Sequence, residues 1–362
     1  MELDYLDQLQ KKEHLLAESL KGLEVDTFLP SVGSALTGFR NKAKLSVTGT
    51  ISSPVIGLIG EDDKDVGREI LNCPLHHPKI NEVITALKGF IQLSNLQPYQ
   101  IAEKKGELKG LILFYSETSD EMYLRFILRS KEAVTRLQKH IKTLQESFPA
   151  LVCVSVNIQP IPHALLEGEE EIFLTERKFV FNKMGDFDFE IDPKAFVQTN
   201  QTIARKLYTT ASEWIAQKSP KKFTELFCGQ GAFSFFASPS FEESLGIEIN
   251  KEAVEKATEM ASAKNLTRLK FKCADAANVG QELLNFSPDL VLVNPPRRGL
   301  GNSVHLFTEK IYPSIIYSSC SWETLGEDLR KLKDFYHVKQ VQIFDMFPHT
   351  DHFETLVLLE KK

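Results

Sequence analysis

Beyond Asn200 the chain alternates between helix-like and strand-like stretches, and few folds accommodate that pattern. The helical period of "QTIARKLYTTASEWIAQ" gives way to the strand "FTELF". The strands "SLGIEI", "LKFKCA", "DLVLV", "SIIYSS" and "HVKQVQIFDMF" follow, separated by helical or loop segments, and "ETLVLLEK" ends the sequence. Strands that alternate with helices pair in parallel, because each crossover returns the chain to the same end of a sheet covered on both faces. Ligands of such sheets bind beyond the carboxyl ends of the strands. The residues that end these strands are therefore the candidates for chemistry.

The first half has a different grammar. Leu6, Leu9, Leu16, Leu20 and Leu23 recur at helical spacing and predict an amphipathic helix within residues 4–23. From Phe39 the pattern turns strand-like in "FRNKAKLSVTGT" and "PVIGLIG", with helices expected at "KINEVITALKGFIQL" and "EAVTRLQKHIKTLQESF". "LKGLILFYSE" and "EMYLRFILRS", joined by "TSD", read as paired strands, and "LVCVSVNIQP" as another. We expect two domains: an N-terminal helix with an α+β domain over 1–185, and an α/β domain over 186–362. The formal net charge of −6 argues mildly against a nucleic-acid partner, but residues 38–165 carry 16 Lys and Arg against 13 Asp and Glu. No secretory h-region and no membrane-length apolar run is read, and five scattered cysteines without a CxxC suit a reducing cytoplasm.

The strand ends of the second half suggest an adenosine cofactor. "ELFCGQGAF" places Gly229 and Gly231 in a tight strand-to-helix turn, a weak signal alone. Glu248 follows about 20 residues later, where a carboxylate can hold ribose hydroxyls. Asp275, after the next strand, falls beside an adenine-sized pocket. The pyrophosphate fingerprint G-x-G-x-x-G is absent, which disfavours NAD and favours S-adenosylmethionine. "LVLVNPPRRGLG" ends the fourth strand at Asn294. Asn-Pro-Pro followed by an aromatic residue would suggest methylation of an exocyclic amine, but Arg297 stands there instead.

Cys320 ends the fifth strand on this same rim, in a turn, "SSCS", too polar for a core. Glu354 stands just before the last strand. Carbon 5 of uracil is a poor nucleophile until a thiolate adds to carbon 6, and a base must then remove the proton on carbon 5. A thiol and a carboxylate beside a methyl donor suit that sequence of covalent and general base catalysis.

"FRNKAKL", "FVQTN", "ELFCGQGAF", "GIEIN", "NPPRRGLG", "YSSCSWETL" and "DMFPHTDHFE" resemble, in order, the RNA uracil-5 methyltransferases. "CPLHHPKIN", "KGELKGLIL", "LRFILRS" and "VNIQP" resemble the members that act on 23S ribosomal RNA, with transfer RNA or another ribosomal site as the alternative substrate. The resemblance implies a class I S-adenosylmethionine-dependent methyltransferase: a Rossmann-like, mostly parallel seven-stranded sheet with an N-terminal α+β RNA-binding domain. It implies Cys320 as nucleophile and Glu354 as proton-abstracting base. It also implies cofactor contacts from Gln198, Phe227, Glu248 and Asn294, and a base contact from Phe196. The family type carries a [4Fe-4S] cluster on three N-terminal cysteines and a fourth that Cys73 matches. The other three are missing, either because the start is truncated or because the cluster has been lost, and one cysteine does not hold a cluster built on four thiolates, so none is expected in this chain.

Arg40, Lys42 and Lys44 alternate, so they share one strand face. With Lys104, Lys105, Lys109, Arg125 and Arg129, and with Arg297 in the second half, they form either a solvated surface or a set of RNA phosphate contacts. The chain is expected to be a cytoplasmic monomer. An amine methyltransferase, which would not need Cys320, and a non-catalytic RNA-binding assembly factor are the competing classes.

Overall fold

The computed structural model describes residues 4–59, 66–161 and 167–362. They divide into two compact units, one made of Met1–Leu36 with Asn200–Lys362 and the other of Thr37–Thr199.

The first unit is built on an eight-stranded sheet. Its spatial order is Val25–Phe28, Tyr336–Phe344, Glu354–Lys361, Ser314–Ser319, Leu290–Val293, Lys222–Leu226, Glu243–Glu248 and Leu269–Cys273. Only Glu354–Lys361 runs antiparallel, against both of its neighbours. The apolar runs are central strands: Leu290, Val291, Leu292 and Val293 are all fully buried. The long helix Gln201–Lys218 starts where Asn200 Oδ1 accepts a hydrogen bond from Ile203 N at 3.2 Å. It buries Ile203, Ala204, Leu207, Ala211, Trp214 and Ile215, an apolar stripe at helical spacing.

The eighth strand and the helix Tyr5–Ser19 correct the expected boundary between residues 185 and 186. The first 36 residues belong with the α/β unit. Val25–Phe28 pairs in parallel with Tyr336–Phe344 at the sheet edge. The helix Tyr5–Ser19 approaches the helix Trp322–Leu332 so closely that a Cβ on Gly326 would sit 2.4 Å from the Ser19 carbonyl oxygen. Arg330 Nη2 donates to that carbonyl at 2.8 Å.

The second unit carries a seven-stranded sheet in the order Gly67–Glu69, Pro54–Ile59, Lys42–Gly49, Leu108–Ser116, Glu121–Leu128, Leu151–Ile158 and Glu170–Phe173. All pairs are antiparallel except Glu121–Leu128 with Leu151–Ile158, which the helix Val134–Ser147 connects as a crossover. That helix and Pro78–Leu93 contribute Ile80, Ile84, Leu87, Ile91, Leu137 and Ile141 to a core shared with Ala43, Leu45 and Val47.

Candidate active site

At the carboxyl end of Lys222–Leu226 the backbone enters a strained turn. Phe227 has φ +60, unusual for a bulky residue, followed by Gly229 at +53 and Gly231 at +80. Gly231 is fixed by packing as well, since a Cβ there would lie 2.5 Å from the Phe271 ring. A Cβ on Gly229 would meet nothing within 4 Å, so this side of the turn opens outward. Glu248 braces the turn: its Oε2 accepts from Gly229 N at 3.0 Å and its Oε1 from Asn250 N at 2.8 Å. Each carboxylate oxygen keeps a lone pair for a further donor. Ile249, beside it, is 69% exposed. Asp275 caps a short 3-10 turn by accepting from Ala277 N at 3.0 Å. Strand register sets these groups at one level, since Leu226 pairs with both Ile247 and Val293 and Glu248 with Cys273. An outward-opening glycine turn, a half-buried carboxylate and an exposed aliphatic side chain fit an adenosine group.

Cys320 and Glu354 come together through register. Ser319 pairs with Thr355 in an antiparallel ladder, so the next residue of one strand, Cys320, stands beside the preceding residue of the other, Glu354. Glu354 is buried and Cys320 half-buried. Polar as "SSCS" is, its first two serines, Ser318 and Ser319, are buried, contrary to expectation, and Ser319 and Ser321 are used for capping. Ser319 Oγ accepts from Ser321 N at 3.2 Å, and Ser321 Oγ accepts from Thr324 N at 3.3 Å to open the helix Trp322–Leu332. The thiol therefore sits on a short, fixed step between strand and helix. Burial, and next the negative charge of Glu354, push its pKa up to about 11, while the Arg297 guanidinium pulls it down.

The helix after Cys320 also holds the Asn294 loop. Thr324 Oγ1 donates to the Arg297 carbonyl at 3.0 Å, and buried Asp328 Oδ2 accepts from Leu300 N at 2.7 Å and from Tyr317 OH at 2.9 Å. Gly299, at φ +73, could not carry a Cβ, which would lie 2.5 Å from Asp328 Oδ2. The sequence reading missed Asp328. Its signal is a carboxylate on the apolar face formed by Leu325, Leu329 and Leu332.

The remaining candidates lie in the second unit. Lys42 and Lys44 share a face of their strand as expected, opposite buried Ala43 and Leu45. The face is internally compensated, however. Lys44 pairs with Glu167 at 2.6 Å, and Arg40 Nε donates to the Lys42 carbonyl at 3.0 Å. Arg125 is fully buried and bound to Glu171 and Glu167, so it is a core ion-pair hub rather than surface charge. Burial, and next the charge of Lys44, lower the Lys42 pKa to about 8. Lys42 Nζ donates to the Ala195 carbonyl at 3.4 Å, and the adjacent Phe196 is 82% exposed. Gln198 is buried.

Cys73 is half-buried, with its carbonyl accepting from Asn81 Nδ2 at 2.9 Å. Among the described residues no group of three or more His, Cys, Asp or Glu side chains could hold a metal. These residues do not fit a four-thiolate cluster. Among the described residues no helix is long and apolar enough to cross a membrane.

The site and fold define a Rossmann-like methyltransferase with a thiol–carboxylate pair. Residues 166–362 match the family model described as tRNA (Uracil-5-)-methyltransferase. The chain is 40% identical over 359 residues to a Vibrio cholerae protein named 23S rRNA (uracil(747)-C(5))-methyltransferase RlmC, covering 99% of this chain and 95% of that one. A Shewanella amazonensis protein of the same name is 41% identical, covering 98% and 92%. The Pyrococcus abyssi tRNA (uracil-54, C5)-methyltransferase, solved with S-adenosyl-L-homocysteine, superposes with a TM-score of 0.81 at 26% identity, covering 99% of this chain and 84% of that one. This chain belongs to the RNA uracil-5 methyltransferase family.

Proposed function

We propose that this protein methylates carbon 5 of a uridine in 23S ribosomal RNA through a covalent adduct between Cys320 and carbon 6. The observation that carries the chemistry is the register that sets Cys320 beside Glu354, on the rim that holds the glycine turn. The Cys320 sulfur adds to carbon 6 of the uracil, and the displaced electron pair moves onto the carbon 4 oxygen. S-adenosylmethionine, when bound, supplies the electrophilic methyl group that carbon 5 attacks. Glu354 takes the carbon 5 proton, and the returning electron pair expels the thiolate, which restores the double bond. Arg297 favours the thiolate before addition. Phe196 offers an exposed ring for stacking a base, and Lys42, which reaches the neighbouring Ala195 carbonyl, and Arg40, bonded to the Lys42 carbonyl, are the phosphate contacts of this reading. Gln198 keeps the cofactor role that its motif implies. The target must leave its stack to reach the thiol. The protein is read as a cytoplasmic monomer.

The test is a denaturation-resistant complex with 23S rRNA transcript containing 5-fluorouracil, which cannot lose the fluorine that replaces the carbon 5 proton. Wild type should form it in the presence of S-adenosylmethionine. Cys320→Ala should form none and lose at least about a hundredfold in turnover, while binding the cofactor as wild type does. Glu354→Gln should accumulate a methylated adduct on ordinary RNA. Free methylated product from Glu354→Gln at the wild-type rate would remove Glu354 from its role. Mapping 5-methyluridine in both RNA classes separates 23S rRNA from transfer RNA as substrate.

A further inference from the structure

The nine residues 345–353 connect the strand Tyr336–Phe344 to Glu354, and Phe344 pairs directly with Glu354. This connection leads directly into the residue that carries the carboxylate. Besides its own turns and Asn200, whose Nδ2 donates to the Met346 carbonyl at 3.4 Å, it is held by the N-terminal segment, more than 300 residues away in sequence. Lys12 Nζ donates to Asp345 Oδ1 at 2.6 Å and to the Phe347 carbonyl at 3.1 Å. Tyr5 OH donates to Asp345 Oδ2 at 2.9 Å and accepts from Ser34 N at 2.6 Å. Asp345 N donates to the Val32 carbonyl at 2.9 Å, His349 N to Gln8 Oε1 at 2.9 Å, and Lys11 pairs with Asp351 at 2.6 Å. The side chains of Lys12 and Asp345 are 1% and 0% exposed.

A buried ion pair is a poor source of stability, because desolvation consumes most of the Coulomb attraction. What it provides is geometric definition, since both charges must be matched or the loop cannot close over them. A helix spent on fixing a nine-residue loop makes sense when the loop ends in a group that must meet one proton at one atom. We propose that the N-terminal helix is a brace for proton abstraction, with Lys12 and Asp345 as positioning residues that act through the 345–353 loop on Glu354. The proposal rests on the reading of Glu354 as the base.

The experiment uses the full chain with 23S rRNA transcript and separates two steps. Trapping by 5-fluorouracil transcript reports addition of Cys320 and methyl transfer. Tritium release from transcript labelled at carbon 5 of uridine reports proton removal. Lys12→Met should slow tritium release about tenfold, roughly the effect of losing 1.4 kcal/mol of transition-state alignment. It should leave the trapping rate within about twofold and cofactor affinity unchanged. Methylated adduct on ordinary RNA should accumulate, as in Glu354→Gln. Tyr5→Phe removes one bond to Asp345 without uncovering a charge, so it should show the same split more weakly. It decides the matter if Lys12→Met does not fold. Wild-type tritium release in the folded variants, or an equal fall in both steps, overturns the brace. If wild type itself fails to trap, the assignment of Cys320 fails first and the brace falls with it.

Discussion

A thiol held beside a carboxylate is poorly ionised at rest, and Cys320 shows both why and how the site answers it. Burial and the Glu354 charge hold its pKa at about 11, against a usual thiol value near 8.5, and Arg297 opposes them. Below pH 11 the thiolate fraction rises about tenfold per pH unit, so alkylation of Cys320 by iodoacetamide should keep rising with pH past the point where an ordinary thiol levels off. Peptide mass spectrometry separates this signal from Cys273, which is exposed. Glu354→Gln removes a negative charge, lowers the Cys320 pKa and should speed its alkylation at pH 8 roughly fivefold. Arg297→Ala should slow it by a similar factor. Alkylation unaffected by either change would separate Arg297 and Glu354 from the thiol electrostatically.

At the scale of elements, the glycine turn rests on a carboxyl group that the sequence pattern hides. Glu225, on the strand Lys222–Leu226, is buried and accepts from Ser234 N at 2.8 Å and Ser234 Oγ at 2.5 Å. It ties the strand to the helix Ala232–Phe236 on the far side of the turn. Burial raises its pKa to about 8, against the Ser234 hydrogen bonds that lower it. The native state therefore holds a proton that the unfolded chain releases near pH 4.5. Stability tied to that proton is complete below pH 4.5 and falls by about 1.4 kcal/mol per pH unit up to pH 8. Glu225→Gln keeps an acceptor for Ser234 and cannot ionise. Its melting temperature relative to wild type should rise between pH 5 and pH 8, and a pH-independent difference would show that Glu225 ionises equally in both states. Elements with period were legible: the helices Pro78–Leu93, Val134–Ser147 and Gln201–Lys218 and the strand Lys42–Gly49 all follow apolar spacing. The strand Val25–Phe28 was not, because its burial pattern lacks alternation and its pairing partner lies past residue 335. Cys320 and Glu354 were legible as residue types at strand ends, whereas Asp328 is one of several carboxylates in a charged helix and Glu225 sits in a short mixed strand, so both become visible only once their donors are in place.

At the scale of the molecule, the chain leaves the α/β unit after Leu36 and returns to it at Asn200. Local periodicity cannot show this, because a bond such as Lys12–Asp345 spans 333 residues without leaving any repeat in the sequence. The two units should therefore respond differently to dissection. Residues 37–199 form one continuous stretch with their own core of two helices on a seven-stranded sheet, so that fragment should fold alone and unfold cooperatively. Residues 200–362 should not match it. Without residues 4–36 they lose the edge strand Val25–Phe28, uncover the face of the helix Trp322–Leu332 at Gly326, and leave Asp345 without its cation. Removing one partner of a buried ion pair alone costs about 3–5 kcal/mol, a large part of a domain's stability. Circular dichroism and urea titration of the two fragments check this. Adding a separate peptide of residues 4–36 to the 200–362 fragment should restore a cooperative transition whose midpoint rises with peptide concentration. A fragment 200–362 that unfolds at the full-length midpoint without the peptide would show that the N-terminal segment is an appendage to the α/β unit rather than a part of it.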